Sequence, residues 1–243
     1  MPHLIYRIPP EKPDAPGCQT KSSGNDRSKR STHERETRAT SNDDVFKFLE
    51  AALIVPKSYE EKYGPKKFAT VLLVIGNMVA GMFQDPSIGK IRVYYVVTKI
   101  IVINSIYEQA GFNETDSNSV KLTAMVKWTA PSVLKDDKDP EHYDVFSYVS
   151  NKIKVGGLAI ANSMCARSIG MVTLTLDLGL QTALHVAHEI GHNFRLDHDN
   201  IEGCLTNQYI MAASLPSGVY AALWSNCSRK DMQAFLEGAS HGV

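Results

Sequence analysis

The chain divides into a polar N-terminal segment and a longer part, from Val45 onward, in which apolar runs alternate with polar breaks. Short β-branched runs predict strands, and longer apolar stretches that end near glycine or proline predict helices. Strands are predicted at 47–55, 90–104 (one long strand or two), 143–150 and 156–163, and helices at 66–83, 117–129, 178–194 and 228–238. Because strands alternate with helices, the pattern predicts an α/β layered sheet.

Composition and charge narrow the class of protein. Hydrophobic residues make up 43% and charged residues 21% of the 243 residues, and the formal net charge is zero. This balance gives no support to nucleic-acid binding through bulk charge. The apolar run at 68–83 is shorter than a bilayer-spanning helix and contains Asn77, so we expect a core helix and no membrane span.

Residues 1–44 are rich in proline, serine, threonine and charged side chains. We expect this segment to have little order of its own and one globular domain to cover 45–243. The opening MPHLIYRIPPEKP has no continuous apolar run and predicts no secretory signal in this sequence. RSKR, Arg27 to Arg30, is a dibasic sequence of the kind that convertases cleave, and a chance basic cluster in a polar tail is the alternative.

The candidate chemistry lies in HVAHEIGHNFRLDHDN, residues 185–200. On a helix, His188 and His192 project from one face, one turn apart, and can reach one metal ion. Glu189 follows the first of them and is placed to take a proton from water at the metal. Because His198 lies six residues beyond His192, the chain must turn after the helix to bring back a third ligand, which leaves the fourth position open.

The spacing of these residues resembles a known family. His188, Glu189, His192 and His198, followed by a methionine in YIMAA, resemble the metzincin pattern of HExxH, third histidine and Met-turn. That methionine is Met211. The aspartate directly after the third histidine, Asp199, resembles the mark of the adamalysin, or reprolysin, branch.

Further segments extend the resemblance to about residues 45–243. GLAIANSMC at 157–165 resembles the edge strand of that branch, and WSNCSRKDMQAFL at 224–236 resembles its final segment. DPSIGKIRVYYVV resembles its helix-to-strand junction, most like arthropod saliva or venom members. The resemblance implies a metzincin catalytic domain: a mixed five-stranded twisted sheet with helices, an active-site helix and a small irregular C-terminal lobe.

The resemblance also implies an activity. It implies a secreted zinc endopeptidase that hydrolyses extracellular proteins, such as matrix or plasma proteins, with zinc held by the three histidines and Glu189 as the general base. The substrate peptide would lie extended and antiparallel to the edge strand Gly157–Ser163. A pocket around Leu215–Val219 would receive one of its side chains.

The four cysteines are too few for a disulfide scaffold. Cys204 and Cys227 match family positions that pair with each other, and free buried cysteines are the alternative. Cys165 matches a cysteine whose family partner lies near the C-terminus of the domain, so either the sequence is a piece of a longer one or Cys165 is unpaired. In the family a propeptide cysteine ligates zinc until a convertase removes the segment; Cys18 resembles such a switch, and a tail cysteine without a role is the alternative.

Other side chains have narrower predictions. Glu50 and Asp144 match positions that hold a structural calcium ion in many members, and carboxylates suit that ion. The remaining family ligands for calcium would lie beyond the end of this sequence. Asn113 and Asn226 begin glycosylation sequons, which matter only if the chain is secreted. The family does not use the position of His185 as a ligand, so we expect a polar neighbour there.

Position 195 departs from the family pattern, which usually has glycine there because the chain leaves the helix with positive φ. Relatives with thrombospondin repeats have asparagine at this position, so glycine is not obligatory. We therefore expect a working site with a strained turn and the Arg195 side chain directed toward solvent. The alternative is a catalytically inactive binding or toxin module, which Arg195 favours and the intact Glu189 and three histidines oppose.

Overall fold

The computed structural model describes residues 46–90, 92–136, 138–154, 156–164, 170–199, 203–204, 207–214, 216, 218 and 221–238. Within them the strands are β1 Phe46–Pro56, β2 Arg92–Ile103, β3 Val145–Ser150, β4 Gly157–Ala159 and β5 Met171–Leu176. The α-helices are α1 Lys57–Tyr63, α2 Phe68–Gln84, α3 Ile106–Ala110, α4 Asn118–Val133, α5 Thr182–Asn193 and α6 Asn226–Gly238. Two 3-10 turns lie at Pro86–Ile88 and Gly179–Gln181.

The strands form one five-stranded sheet in the order β2-β1-β3-β5-β4. Strands β2, β1, β3 and β5 are parallel to one another, and β4 pairs antiparallel with β5 at the edge of the sheet. A parallel sheet needs crossover connections, which the helices supply. The predicted mixed five-stranded α/β sheet is confirmed.

Strand β1 is apolar at successive positions because both of its faces are buried. Leu49, Leu53 and Val55 pack into one cluster, together with side chains of α2 and α5. Ala52 and Ile54, at the alternate positions, pack into a second cluster, together with side chains of α4. The period of two that alternates side chains across a strand therefore places helices on both faces of the sheet.

The structure differs from the pattern-based boundaries at several elements. The strand predicted at 156–163 is paired only at Gly157–Ala159, since the chain turns at Asn162 with φ of 56°. The helix predicted at 178–194 begins at Thr182, after a 3-10 turn. The strand predicted at 90–104 is a single strand with a bulge at Thr98, because Ala51 pairs with Val97 and the next residue pairs with Lys99. Strand β5 and helices α1 and α3 were not predicted from the pattern.

The active-site helix is fixed at its start by a buried carboxylate. Asp177 lies between β5 and α5 and accepts hydrogen bonds from Lys62 Nζ at 2.7 Å and the Tyr63 hydroxyl at 3.0 Å. It also accepts one from the Gly179 N–H at 3.1 Å. Helix α1 is thereby joined to the turn from which α5 begins.

In the part of the chain that the structure describes, no single helix is long and apolar enough to cross a membrane. Helices α1 and α2 pass that test only as a pair, bent by 98°, and only by length and composition.

Candidate metal centre

Helix α5 presents its histidines because its other positions belong to the core. Ala183, Val186 and Ile190 are fully buried in the cluster that includes Leu53 and Leu72. His188 and His192 are half-buried, four residues apart, and therefore lie one above the other at the helix surface.

The helix ends in a Schellman motif with Arg195 in its left-handed position. Arg195 has φ of 68°, and its N–H donates to the His192 carbonyl at 2.9 Å. The Leu196 N–H donates to the Gly191 carbonyl at 3.0 Å, and Leu196 packs in the same cluster as Ile190. Both bonds and the apolar contact define this motif. The predicted turn with positive φ is present, and the arginine is exposed.

This turn brings the third histidine back to the helix. The Nε2 atoms of His188, His192 and His198 form a triangle in which each pair is 3.1 Å apart. In the described ranges this is the one group of three or more His, Cys, Asp or Glu side chains whose ligand atoms lie within 4.8 Å of one another. Three nitrogens on a tetrahedral zinc ion are about 3.3–3.4 Å apart, so the triangle fits zinc with a small adjustment.

Backbone carbonyls fix the tautomers of two of these rings. Nδ1 of His188 lies 2.7 Å from the Ile210 carbonyl, and Nδ1 of His192 lies 2.8 Å from the Leu196 carbonyl. Because a carbonyl oxygen only accepts, each Nδ1 donates, which leaves a lone pair on Nε2 for a metal. Burial lowers the pKa of His188 to about 3 and also lowers the pKa of His192, so both rings are neutral.

The carboxylate of Glu189 is buried beside the edge strand. Glu189 is 5% exposed, and burial raises its pKa to about 8. A Cβ on Gly157 would overlap the Glu189 Oε1 atom and would lie 2.7 Å from the Leu174 carbonyl oxygen. The carboxylate therefore occupies the space that a side chain at position 157 would fill.

The segment after β4 is hydrogen-bonded along α5. The Asn162 N–H donates to the His192 carbonyl at 2.9 Å, so this oxygen accepts from both Asn162 and Arg195. The buried Asn193 side chain donates to the Ile160 carbonyl at 3.0 Å and to Ser163 Oγ at 2.9 Å. The edge strand and the ligand-bearing helix are thus joined by direct bonds.

Met211 lies against the helix at the ligands. A Cβ on Gly191 would lie 2.5 Å from the Met211 sulfur and 3.4 Å from Trp224. The Asp199 N–H donates to the Met211 carbonyl at 2.8 Å. This arrangement is what a Met-turn predicts, and it needs glycine at position 191 for the close approach.

The C-terminal lobe is hydrogen-bonded, through Ser225, to the residue that follows the third histidine. The buried Asp199 carboxylate accepts a hydrogen bond from the Ser225 hydroxyl, and burial raises the pKa of this carboxyl. Ser225 Oγ also accepts from the Ser228 N–H at 3.0 Å, as an N-cap of α6. Cys204 and Cys227 form the predicted disulfide, which is confirmed.

His185 stands outside the histidine triangle. Its side chain is half-buried one turn before His188, and burial lowers its pKa. Its Nε2 atom is shielded from solvent and has no hydrogen-bond partner among the described residues.

Glu50 and Asp144 lie side by side at the start of β3, far along the chain from the histidines. The Glu50 N–H donates to Asp144 Oδ2 at 2.8 Å, and the Asp144 N–H donates to the Glu50 carbonyl at 2.9 Å. One carboxylate oxygen is therefore already used by the backbone, and calcium binding here stays a prediction.

Some predicted residues lie outside the described ranges, and their predictions stay untested. They are Cys18, Arg27 to Arg30, the rest of the segment 1–44, Cys165, and positions 215, 217 and 219 of the predicted pocket.

Sequence reasoning missed several residues that build the site. Asn193, Ser225, Gly157 and Gly191 were not singled out, although each holds a ligand-bearing segment or leaves room for one. For two of them the sequence did contain a signal, since Gly191 and Asn193 are adjacent in sequence to the predicted ligand His192. A buried asparagine bonded across to another element cannot be distinguished from a surface one in a single sequence.

Comparison with known proteins points to one family. Residues 71–242 match the model of "Reprolysin (M12B) family zinc metalloprotease". The chain is 29% identical over 261 residues to "A disintegrin and metalloproteinase with thrombospondin motifs 12" from Mus musculus, which covers 97% of this chain and 16% of that protein. It is 29% identical over 227 residues to "A disintegrin and metalloproteinase with thrombospondin motifs 6" from Homo sapiens, with coverage of 84% and 20%.

These relatives are much longer than the chain, which spans a fifth or less of each. A solved structure titled "Structure of a chaperone-substrate complex" superimposes with a TM-score of 0.50 at 12% identity, over 82% of this chain and 36% of that one. This last likeness concerns the fold alone. Both of the relatives named above are mammalian, and the predicted likeness to arthropod saliva or venom members stays a prediction.

Proposed function

Because the chain belongs to the reprolysin (M12B) family of zinc metalloproteases, we propose that it is a zinc-dependent endopeptidase that cleaves polypeptides. The observation that supports this most directly is the triangle of Nε2 atoms of His188, His192 and His198, each pair 3.1 Å apart. The buried carboxylate of Glu189 lies on the same helix as two of these ligands.

In this proposal the three Nε2 atoms would hold zinc, which would supply Lewis-acid chemistry for the scissile carbonyl and the attacking water. Glu189 accepts the proton of the attacking water on a carboxylate oxygen and then gives it to the leaving amine. Its burial beside Gly157 keeps bulk water away from this proton. The carbonyl partners of His188 and His192 hold both rings in the ligand tautomer throughout.

The substrate lies extended and antiparallel to β4 and the segment that follows it. Strand β4 is at the edge of the sheet, so its outer backbone groups can pair with a peptide. Proteins of the extracellular matrix or plasma are the proposed substrates. Secretion is supported by the disulfide between Cys204 and Cys227, a bond that persists in oxidising compartments. The exposed sequon residues Asn113 and Asn226 would then be glycosylated.

Two further functions remain proposals. Cys18 would keep the zymogen latent by ligating zinc, until cleavage after Arg30 removes residues 1–30. Protein retaining this segment would then be less active than protein starting at Ser31, whereas equal activity would exclude the switch. Calcium binding at Glu50 and Asp144 would appear as a calcium-dependent rise in melting temperature that Glu50→Gln removes.

The proposed activity is tested on wild type and on Glu189→Ala, with zinc content measured beside cleavage of a denatured protein. Wild type is expected to bind one zinc ion and to cleave the protein, and a chelator is expected to abolish cleavage. Glu189→Ala is expected to keep its zinc and to lose cleavage, because the carboxylate is not a ligand in the triangle. Wild type that binds zinc without cleaving any protein or peptide would favour the inactive binding module instead.

A further inference from the structure

A groove lies between helices α3 and α4, on the face of the sheet opposite α5. Its volume is about 660 Å³. Ala110 and Gly111 line one side, at the end of α3, and the other side belongs to α4. Because α4 packs against β4 and β5, this α3–α4 groove lies next to the edge of the sheet that we assign to the substrate.

Helix α4 presents one apolar stripe to the sheet and a second one to the groove. Leu122 and Met125 are buried in the core cluster on this face of the sheet. Val120, Ala124 and Trp128 are spaced four residues apart, so they share another side of the helix, and all three line the groove. Val120 is 50% exposed. The second stripe can therefore receive an apolar side chain of another molecule.

Opposite charges lie on the two sides of the α3–α4 groove. Glu108 of α3 and Lys127 of α4 both line it, and both are exposed. Neither side chain forms an ion pair within the part of the chain that the structure describes. A peptide that carries one basic and one acidic side chain around an apolar one would match this arrangement.

The first turn of α4 is hydrogen-bonded to the loop that leads into the edge strand. The Lys154 N–H donates to Asn118 Oδ1 at 3.1 Å, and the Asn118 side chain donates back to the Lys154 carbonyl. Lys121 Nζ donates to the Lys152 carbonyl at 2.5 Å. Because β4 begins at Gly157, the groove starts close to the N-terminal end of this strand.

The direction of the proposed substrate carries it toward the groove, a step that rests on the proposed function. A peptide antiparallel to β4 runs from Ala159 to Gly157, against which the Glu189 carboxylate lies. The cleaved bond is therefore near Gly157, and the residues after it continue toward the start of α4. An extended peptide covers roughly 3.3 Å per residue, so about four residues reach the groove and about four more pass from Val120 to Trp128.

We propose that the α3–α4 groove is an exosite, a substrate-binding site outside the cleft, for the segment about four to eight residues after the cleaved bond. The preferred segment places an apolar side chain on the second stripe of α4, a basic side chain near Glu108 and an acidic one near Lys127. Because the two ends of one chain are then held together, the exosite raises kcat/KM for long substrates and leaves short peptides unaffected.

The experiment compares two peptides with the same cleaved sequence. The short one ends soon after the cleaved bond, and the long one continues with a leucine between a lysine and a glutamate. Val120→Asp is expected to lower the ratio of kcat/KM for long over short on the order of tenfold, because it places a charge on the apolar stripe. An aspartate in the first turn suits the helix dipole, so α4 is retained. Leu134→Asp is the matched control, since Leu134 is 65% exposed at the other end of α4 and does not line the groove. It is expected to leave the ratio unchanged.

An exchange of charges tests the chemistry of the bound segment. Lys127→Glu is expected to lower the same ratio about threefold, the value of one surface ion pair, and a lysine in place of the glutamate of the long peptide is expected to restore it. A loss of structure would lower the cleavage of both peptides, and no change in the peptide would reverse it. A ratio that stays low with the exchanged peptide would mean that no acidic side chain faces Lys127.

A binding series separates this inference from the activity. Both peptides are titrated against Glu189→Ala and against Glu189→Ala with Val120→Asp. If wild type cleaves both peptides with a ratio that Val120→Asp does not change, the exosite is overturned and the proposed endopeptidase stands. If wild type cleaves neither peptide but the long one binds more tightly in a way that depends on Val120, the activity fails and the groove stands as a peptide site. If neither is cleaved and the long peptide binds no more tightly than the short one, both fail.

Discussion

At the scale of single residues, Arg195 shows how a departure from the family pattern is accommodated. The left-handed conformation at φ of 68° costs an L-residue roughly 1–2 kcal/mol. Both hydrogen bonds of the Schellman motif are nevertheless made, and the long side chain is exposed instead of packed. The strain stays in the turn, and His198 still reaches the triangle.

We expect Arg195→Gly to raise the free energy of unfolding by about 1 kcal/mol, because glycine adopts positive φ without strain but loses more entropy on folding. Zinc stoichiometry is expected to stay the same, and the catalytic rate to change only modestly. Denaturant unfolding and metal analysis of both proteins check this. A wild type that binds no zinc, together with a substituted protein that does, would mean that the arginine disables the site.

Gly191→Ala is expected to destabilise the protein by about 1–3 kcal/mol, because the new Cβ would lie 2.5 Å from the Met211 sulfur. Zinc affinity is expected to fall as well, since the carbonyl of neighbouring Ile210 holds the His188 ring. Thermal unfolding and zinc titration measure the two effects. The control is Gly81→Ala in α2, where nothing lies within 4 Å of the added Cβ and alanine should stabilise the helix. Equal effects at both glycines would contradict the steric explanation.

At the scale of elements, the best predictions were of helices and strands whose apolar residues recur with one regular period or form an unbroken run. Strand β1 and helix α2 were predicted almost to their ends. Strand β5, MVTLTL, was missed because its two threonines look like solvent-facing positions, yet Thr173 and Thr175 are buried. Thr173 satisfies its hydroxyl by donating to Ser147 Oγ at 2.9 Å on the neighbouring strand. Only the pairing of β3 with β5 reveals that partner.

The same limit applies to the site. The arrangement of His188, Glu189 and His192 could be predicted because a helix repeats every 3.6 residues, and the return of His198 was predicted from the third-histidine pattern that the family resemblance implies. The role of Asn193 could not, since it depends on carbonyl and hydroxyl groups 30 or more positions away in the chain. Local periodicity thus predicts which side chains share a helix face, and tertiary contacts decide what supports them.

Ser225→Ala tests how α6 is joined to the metal centre. The change removes an N-cap and one of the two serine hydroxyls that bond the buried Asp199 carboxylate, so we expect a loss of about 2–4 kcal/mol, the sum of a cap and a hydrogen bond to a charged group. Ser117→Ala is the matched control, because Ser117 caps α4 through the Val120 N–H at 3.3 Å and is exposed. It should cost about 1 kcal/mol. Unfolding in urea compares them, and equal losses would mean that the Asp199 bond adds nothing.

At the scale of the whole molecule, the two sides of the sheet differ in what they do. One cluster includes residues of α4 and has Leu158 and Ile160 packed against it, whereas the other joins α2 and α5 to residues of the C-terminal lobe such as Trp224 and Met232. The lobe after His198 has α6 as its one helix among the described residues. Its other restraints include the disulfide, the Asp199 bond, this shared core and two hydrogen bonds that Trp224 donates, to Ser87 Oγ and to the Met82 carbonyl.

Replacing both Cys204 and Cys227 by serine is expected to lower the free energy of unfolding by about 3 kcal/mol, since the disulfide closes a loop with a sequence separation of 23. Limited proteolysis is expected to cut first between the two positions, and zinc is expected to reduce the cutting because His198 lies on the segment leading into this loop. Calorimetry and mapping of the fragments check both points. If cutting began in the parallel strands instead, the disulfide would not be a restraint that acts mainly on the C-terminal lobe.

The carbonyl oxygen of His192 accepts two hydrogen bonds, one from the N–H of Asn162 in the segment after β4 and one from the N–H of Arg195 in the turn toward His198. Both of these residues have positive φ, a conformation that residues other than glycine adopt rarely, so both turns depend on the contacts around them. This one acceptor therefore couples the segment after β4 to the turn that leads to His198. A peptide that pulls on the edge strand would transmit its force to the geometry of the metal ligands, and the amide protons of positions 162 and 195 should become open to solvent exchange together.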